Sequence, residues 1–166
     1  RHLVLWWADL RKIGEEQARK SLGGRLARSL DSEAEKNLFR QYFLGLKIEL
    51  GDALPALVPQ VYLHYDPKTV KQLGGASRLP RQRMDFLMLL PGDIRVVIEV
   101  DGRHHYADPN GAASPRRYAE MMSADRDLRL AGYEVFRFGA NELCGHGSAD
   151  RIDKFFRSLL RLPDRT

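Results

Sequence analysis

A predicted β-hairpin constrains the fold of this chain more than any other feature of its sequence. Two runs of β-type residues, within the stretch from Arg83 to Gly102, flank the turn-forming residues Pro91-Gly92-Asp93. This pattern is typical of two antiparallel strands joined by a tight loop. With these three residues as the loop, the pairing register places Asp85 directly opposite Glu99.

The two opposed carboxylates point to a cation. Directly opposed residues have Cβ atoms ~4.5–5.5 Å apart, and like charges at that separation are destabilising. Asp85 and Glu99 therefore indicate a divalent metal site. A slip of one residue would instead send the side chains to opposite faces, with one solvated and the other paired with Arg83 or Arg95. The pattern alone leaves both interpretations open.

Composition and charge limit the class of protein and its partners. The chain has 166 residues, 43% of them hydrophobic, which is enough for one well-formed core. It contains no transmembrane run and no signal peptide, so we expect a cytoplasmic protein without membrane association. A single cysteine, Cys144, excludes an internal disulfide and a thiolate zinc cluster. The net charge of +5, with arginine in excess over lysine, favours nucleic acid as a partner, although a merely basic soluble protein would look the same.

The sequence predicts a helical region before the main domain. Residues 3–22 show helical spacing of apolar side chains, Gly23-Gly24 is expected to interrupt that helix, and a short second segment follows. We interpret residues 1–30 as an N-terminal helical extension or the tail of a preceding domain, and residues 31–166 as the main domain. The chain begins at Arg1 rather than methionine, as expected of a fragment of a longer protein.

The next helix is predicted to begin at Asp31 or Ser32. Ser32 and Glu35 have the spacing of a capping box, in which each side chain binds the other residue's backbone N–H. Glu35 also shares the side of the helix that carries the apolar face beginning at Leu38. A carboxylate there either caps the helix or has a chemical function, and the local pattern favours capping.

The remaining segments predict an α/β architecture. Residues 66–80 are expected to form a loop whose basic side chains either follow a phosphate backbone or are simply solvated. The predicted elements are, in order, the helix from Ser32, a strand Leu57–Tyr65, the hairpin, a helix with Ser114 as N-cap and Pro115 at its first position, a strand Tyr133–Phe138, and a final helix capped by Ser148. This order predicts a mixed β-sheet with α-helices packed around it.

In this order and spacing, the motifs resemble the PD-(D/E)XK nuclease superfamily, which has a restriction-endonuclease-like fold. Within it, the chain is most similar to the small very-short-patch-repair-like nuclease domains. The resemblance covers roughly residues 30–160. The matching motifs are Ser32-Glu-Ala-Glu35, Gln60, Asp85-Phe86, Glu99-Val-Asp-Gly-Arg-His-His105, Arg126 and Gly132-Tyr-Glu-Val-Phe-Arg-Phe138.

The resemblance implies metal-assisted hydrolysis of phosphodiester bonds. Asp85 and Glu99 would bind Mg²⁺, for which Mn²⁺ can substitute, and Glu35 would reach the metal or a water on it. Arg126 would contact phosphate or hold the site together. DNA is the expected substrate rather than RNA. The expected setting is a larger prokaryotic defence or repair protein, with further domains or a second copy of the chain as partners.

One position departs from the superfamily pattern. The superfamily commonly has lysine two residues after the glutamate, where this chain has Asp101, as the narrower family also does. Asp101 is either a third metal ligand or the partner of Arg83 in a cross-strand ion pair. The function of the lysine would then pass to His104 or His105, as general base, proton donor or phosphate contact.

His105 is the preferred candidate because it matches the family histidine. Adjacent residues of an extended segment point in opposite directions, so we expect only one of the two histidines to serve the site. The expected catalytic residues are Glu35, Asp85, Glu99, Asp101 and His105. The expected nucleic-acid contacts are Arg83, Arg103, His104 and Arg126. Two alternatives stay open. One is a catalytically inactive, nuclease-derived module that binds nucleic acid, and the other is an interaction domain whose N-terminal helices pack on a partner.

Overall fold

The computed structural model describes residues 1–62, 83–103, 107–108 and 112–163. The predicted roles of His104 and His105, and the predicted loop at 66–80, lie outside these residues. The chain divides into two compact units, which are described separately. One comprises Arg1–Pro55 with Ala140–Thr166 and is called the helical unit; the other comprises Ala56–Gly139 and is called the sheet unit.

The helical unit begins with two helices and a break that the sequence prediction misplaced. Helix α1 spans His2–Arg11 and α2 spans Glu15–Arg28, so α2 runs through the predicted interruption at Gly23-Gly24. The chain turns instead at Lys12, which ends α1 in the left-handed conformation with φ 54°.

Packing explains the error. Each glycine weakens a helix by only about 1 kcal/mol relative to alanine. In the turns of α2 just before the glycines, Ala18 and Leu22 are buried against Trp7, and Trp7 Nε1 donates a hydrogen bond to Ser21 Oγ at 2.9 Å. These contacts compensate for the low helical preference of the two glycines.

Two further α-helices complete the described part of the helical unit. Helix α3 spans Glu33–Leu50; Gly51–Ala53 and Ala140–Leu143 are single turns of 3-10 helix, and the last helix of the chain spans Ser148–Leu159. The prediction that Ser148 caps this last helix is wrong, because Gly147 occupies the N-cap with φ 76° and Ser148 is the first helical residue. Ser148 Oγ instead accepts a hydrogen bond from Asn37 Nδ2 of α3 at 3.2 Å.

The described part of the sheet unit contains four strands and one helix. Their bounds are β1 Leu57–Tyr62, β2 Arg83–Leu90, β3 Ile94–Asp101, α4 Pro115–Leu130 and β4 Tyr133–Gly139; the last helix of the helical unit is α5. The strands lie in the order β1-β2-β3-β4, with β1, β2 and β3 antiparallel and β4 parallel to β3. Parallel neighbours require a crossover, which α4 provides. The predicted α/β class with a mixed sheet is confirmed.

The predicted hairpin has the expected loop and register. Leu90 pairs with Ile94 across residues 91–93, and the pairing continues to Phe86 and Ile98. Gly92 and Asp93 have φ of 78° and 59°, which are values that glycine and aspartate tolerate best. Turn chemistry was therefore sufficient to fix the register.

Helix α4 packs on the sheet next to β4. Ser114 is its N-cap and Pro115 its first residue, as predicted. Leu128 is fully buried in a core cluster with Met84, Val97 and Val135. This cluster joins α4 to β2, β3 and β4, the strands that carry the polar side chains of the candidate site.

Candidate metal centre

The regular pairing between β2 and β3 stops next to Asp85. Regular backbone pairing ends at Phe86 and Ile98. Beyond this pair, the backbone N–H of Val100 donates to Oδ2 of Asp85 at 2.8 Å. A backbone group of β3 is thus bound by a side-chain carboxylate of β2. Asp85 is fixed by the sheet itself.

The neighbouring strand β1 is irregular at the same level. Its pairing with β2 includes Pro59 with Phe86 and Val61 with Met84, and passes over Gln60. Gln60 has φ 54°, in the left-handed region that few side chains other than Asn and Asp adopt within a strand. Such local strain is concentrated at functional sites. The irregularity falls at the position in β1 that the register would place beside Asp85, and Gln60 is one of the residues that carry the family resemblance.

Asp85 and Glu99 form a buried carboxylate pair. Their exposed fractions are 8% and 7%. Burial raises the pKa of Glu99 to about 8, and the negative charges of Asp85 and Asp101 act in the same direction. The charge of Arg137 and a hydrogen bond from the backbone of Asp85 oppose the rise without cancelling it.

Burial is the largest cause of this raised pKa and the charge of Asp85 is the second, so both effects favour a bound proton or a cation at the pair. Near neutral pH, Glu99 keeps a proton when no cation is bound. Mg²⁺ is a hard cation that proteins bind through one or two carboxylates, with waters and substrate phosphate completing its coordination. The two side chains fit that requirement in number and charge.

Asp101 belongs to a second group of charges, which sequence reasoning did not assemble. Arg137 Nη1 lies 2.8 Å from Asp101 Oδ1, and Arg137 Nε lies 3.0 Å from Asp125 Oδ1. Asp125 is also 3.0 Å from Arg129 Nε. We call these four residues the Arg137 network. Arg137 comes close to Asp101 because β4 pairs in parallel with β3, in a register that places Arg137 beside Glu99.

Glu35 lies in the helical unit and caps α3. Its backbone N–H donates to Ser32 Oγ at 3.1 Å, and Ser32 Oγ donates to Oε1 of Glu35 at 2.7 Å. Oε2 of Glu35 accepts from the backbone N–H of Asp31 at 3.1 Å. The prediction that Ser32 and Glu35 cap the helix is confirmed, but the side chain of Glu35 binds the N–H of Asp31, one residue before the N–H of Ser32 that the capping box predicts. A metal-binding role for Glu35 stays a prediction.

The predicted nucleic-acid contacts are exposed where they are described. Arg83 begins β2, Arg103 follows β3, and Arg126 lies on α4, each with an exposed side chain. A cavity of about 490 Å³ lies elsewhere, in the helical unit, and its lining includes Gln41 and Lys154 but none of the predicted site residues. We therefore place the candidate site at the carboxylate pair.

Among the described residues, no group of three or more His, Cys, Asp or Glu side chains is arranged to hold a metal ion. Among these residues, the candidate metal centre consists of Asp85 and Glu99. None of the family models, curated proteins or solved structures compared with the chain matches it. Within the same residues, no helix has both the length and the apolar character needed to cross a lipid bilayer.

Proposed function

We propose that this chain is a metal-dependent endonuclease of the PD-(D/E)XK type, with a restriction-endonuclease-like fold, that hydrolyses phosphodiester bonds in DNA. The observation that carries the proposal is the buried pair Asp85 and Glu99 at the end of the hairpin. The order of motifs along the chain supports the same family.

The carboxylate pair favours a cation for energetic reasons. Burying two carboxylates side by side is unfavourable unless a counter-charge is supplied. The charge of Arg137 lowers the pKa of Glu99, but burial and the charge of Asp85, which raise it, have the larger effects. Perturbed carboxylates of this kind are concentrated at functional sites. A divalent cation would supply the missing charge.

Each residue of the site has a defined task in the proposed reaction. Asp85 and Glu99 would hold Mg²⁺ or Mn²⁺, and the hydrogen bond from the backbone N–H of Val100 would restrict the orientation of Asp85. The cation, when bound, supplies a water of lowered pKa and neutralises charge on the scissile phosphate. Arg83 and Arg103 would bind neighbouring phosphates by charge and by bidentate hydrogen bonds.

Three further assignments complete the proposal. Arg126, exposed on α4, would also contact the phosphate backbone. His105 would act as general base or proton donor, and Glu35 would assist at the metal, as the resemblance implies. The net charge of +5 supports a nucleic-acid partner. We further propose a cytoplasmic effector that works with other domains or a second copy of the chain.

A second function is favoured by one observation. The position that usually carries the superfamily lysine is Asp101, and its carboxylate is bound by Arg137. A nuclease-derived module that has lost catalysis would not need the lysine, whereas in the very-short-patch-repair-like domains, which also carry Asp here, another residue would take over its function. Such a module would bind nucleic acid in a salt-sensitive way that does not depend on metal.

One set of incubations separates the two functions. Plasmid, linear duplex, single-stranded DNA and RNA would each be incubated with Mg²⁺, Mn²⁺ or EDTA. The nuclease proposal predicts cleavage of DNA with metal and none with EDTA. Salt-sensitive binding without cleavage in any metal would favour the inactive module.

Two variants test the site within that experiment. Asp85→Asn removes the charge but keeps an oxygen that accepts the Val100 N–H, so the fold is preserved. Asp93→Asn makes the same change in the exposed turn of the same hairpin and serves as control. We expect Asp85→Asn to abolish cleavage and Asp93→Asn to leave it unchanged. Equal cleavage by both variants would refute the assignment.

A further inference from the structure

We propose that Asp101 is the counter-ion of Arg137 rather than a ligand of the cation. The site then holds one divalent cation, bound by Asp85 and Glu99. Arg137 is the positioning residue that keeps Asp101 away from that cation. This inference rests on the proposed function. It assigns a role to Asp101, which stands where the superfamily commonly has lysine.

The first support is the alternation of charge in the Arg137 network. Its order is Asp101, Arg137, Asp125, Arg129, with contacts of 2.8, 3.0 and 3.0 Å between successive members. The two negative and two positive charges neutralise each other. The network needs no further cation.

The second support is the burial of the contact. The side chains of Asp101 and Arg137 are 12% and 20% exposed. A charge-assisted hydrogen bond that is largely shielded from water is stronger than one on the surface. A cation that recruited Asp101 would have to share its carboxylate with the guanidinium of Arg137, and the two positive charges would repel each other.

The third support is the contrast with the neighbouring pair. Asp85 binds a backbone N–H, that of Val100, and Glu99 receives a hydrogen bond from the backbone of Asp85. Backbone N–H groups orient a carboxylate without neutralising its full charge. When both are deprotonated, the two carboxylates carry the two negative charges that one divalent cation neutralises.

The decisive comparison is between the two carboxylates that Arg137 binds. Asp101→Asn and Asp125→Asn each remove one of them, and each leaves Arg137 with the other. Mn²⁺ would be titrated into the intact chain, and free Mn²⁺ followed by electron paramagnetic resonance. We expect about one Mn²⁺ per chain for the wild type.

Both substitutions should change the Mn²⁺ dissociation constant by less than about threefold at physiological ionic strength, because the lost charges act only through space. Asp85→Asn should raise the constant at least about tenfold, as expected for a lost ligand. A loss with Asp101→Asn that equals the loss with Asp85→Asn, while Asp125→Asn binds normally, would overturn the inference. Absence of Mn²⁺ binding by the wild type would overturn the proposed function as well.

Changing Arg137 tests the positioning role directly. Arg137→Gln releases Asp101, so Mn²⁺ should bind more tightly or at a second equivalent, and adding Asp101→Asn should remove that gain. Arg137→Lys keeps the positive charge and should behave like the wild type. Unchanged Mn²⁺ binding by folded Arg137→Gln would contradict the positioning role. If Arg137→Gln does not fold, the comparison of Asp101→Asn with Asp125→Asn decides the question.

Discussion

Replacing Glu99 with glutamine should stabilise the metal-free protein at alkaline pH. The pKa of Glu99 is raised from an ordinary value of 4.5 to about 8 in the folded protein, first by burial and then by the charge of Asp85. Glutamine has nearly the same shape and carries no charge. Its amide oxygen can accept the hydrogen bond from the backbone of Asp85, and its NH₂ group can donate to the Asp85 carboxylate.

The sign follows from proton linkage. Below pH 4.5, Glu99 is protonated in both the folded and unfolded states, so it contributes no pH dependence. Between pH 4.5 and about 8 the unfolded chain releases this proton and the folded chain keeps it, so the free energy of unfolding decreases as pH rises. Above pH 8 the penalty is constant.

The magnitude follows from the same pKa values. Each pKa unit corresponds to about 1.4 kcal/mol, so ionising Glu99 in the folded protein costs up to roughly 5 kcal/mol. Water entry around the ionised pair lowers this cost, and we expect Glu99→Gln to gain about 2–5 kcal/mol at pH 8.5. For a chain of this length the midpoint of thermal unfolding should rise by roughly 5–15 °C.

Thermal unfolding followed by circular dichroism in EDTA, from pH 4 to pH 9, measures this effect. The matched control is Glu134→Gln, which makes the same change at an exposed position on β4. The wild type and the control should lose stability between pH 4.5 and 8 relative to Glu99→Gln. Parallel curves for wild type and Glu99→Gln, or a less stable Glu99→Gln at pH 8.5, would refute the reasoning.

Two further predictions concern metal binding and the N-cap of α3. Mn²⁺ should raise the unfolding midpoint of the wild type at pH 8 but not that of Glu99→Gln; a concentration of 100 times the dissociation constant would add about 2.7 kcal/mol, and equal shifts would place the metal elsewhere. Ser32→Ala should lower the free energy of unfolding in urea by about 1–2 kcal/mol, because the N–H of Glu35 loses its acceptor at 3.1 Å. The control is exposed Ser29→Ala, whose hydroxyl donates only to the carbonyl of Leu26, and an equal effect of the two substitutions would argue against the cap.

The parts of the structure that local chemistry determines were predictable from the sequence. The turn at residues 91–93 fixed the register of the hairpin, and Ser32 with Glu35 fixed the start of α3. Ser114 and Pro115 did the same for α4. In each case the residues that decide the geometry are within a few positions of each other.

The features that sequence reasoning missed depend on contacts between distant residues. Arg137 approaches Asp101 only because β4 pairs in parallel with β3, with α4 between them in the chain. No local pattern gives the register of such a pair. The continuation of α2 through Gly23-Gly24 was missed for a related reason, since packing of α2 on Trp7 outweighs the weak helical preference of the two glycines.

The central claim is that Asp85 and Glu99 bind a cation that supports cleavage of DNA. Its most direct test is the initial rate of Mn²⁺-dependent nicking of supercoiled plasmid, measured for wild type, Asp85→Asn and Asp93→Asn at equal protein concentration. We predict that EDTA stops the wild type, that Asp93→Asn cleaves at the wild-type rate, and that Asp85→Asn is slower by roughly 100-fold or more. Nicking by Asp85→Asn at the wild-type rate, or undiminished nicking in EDTA, would contradict the claim.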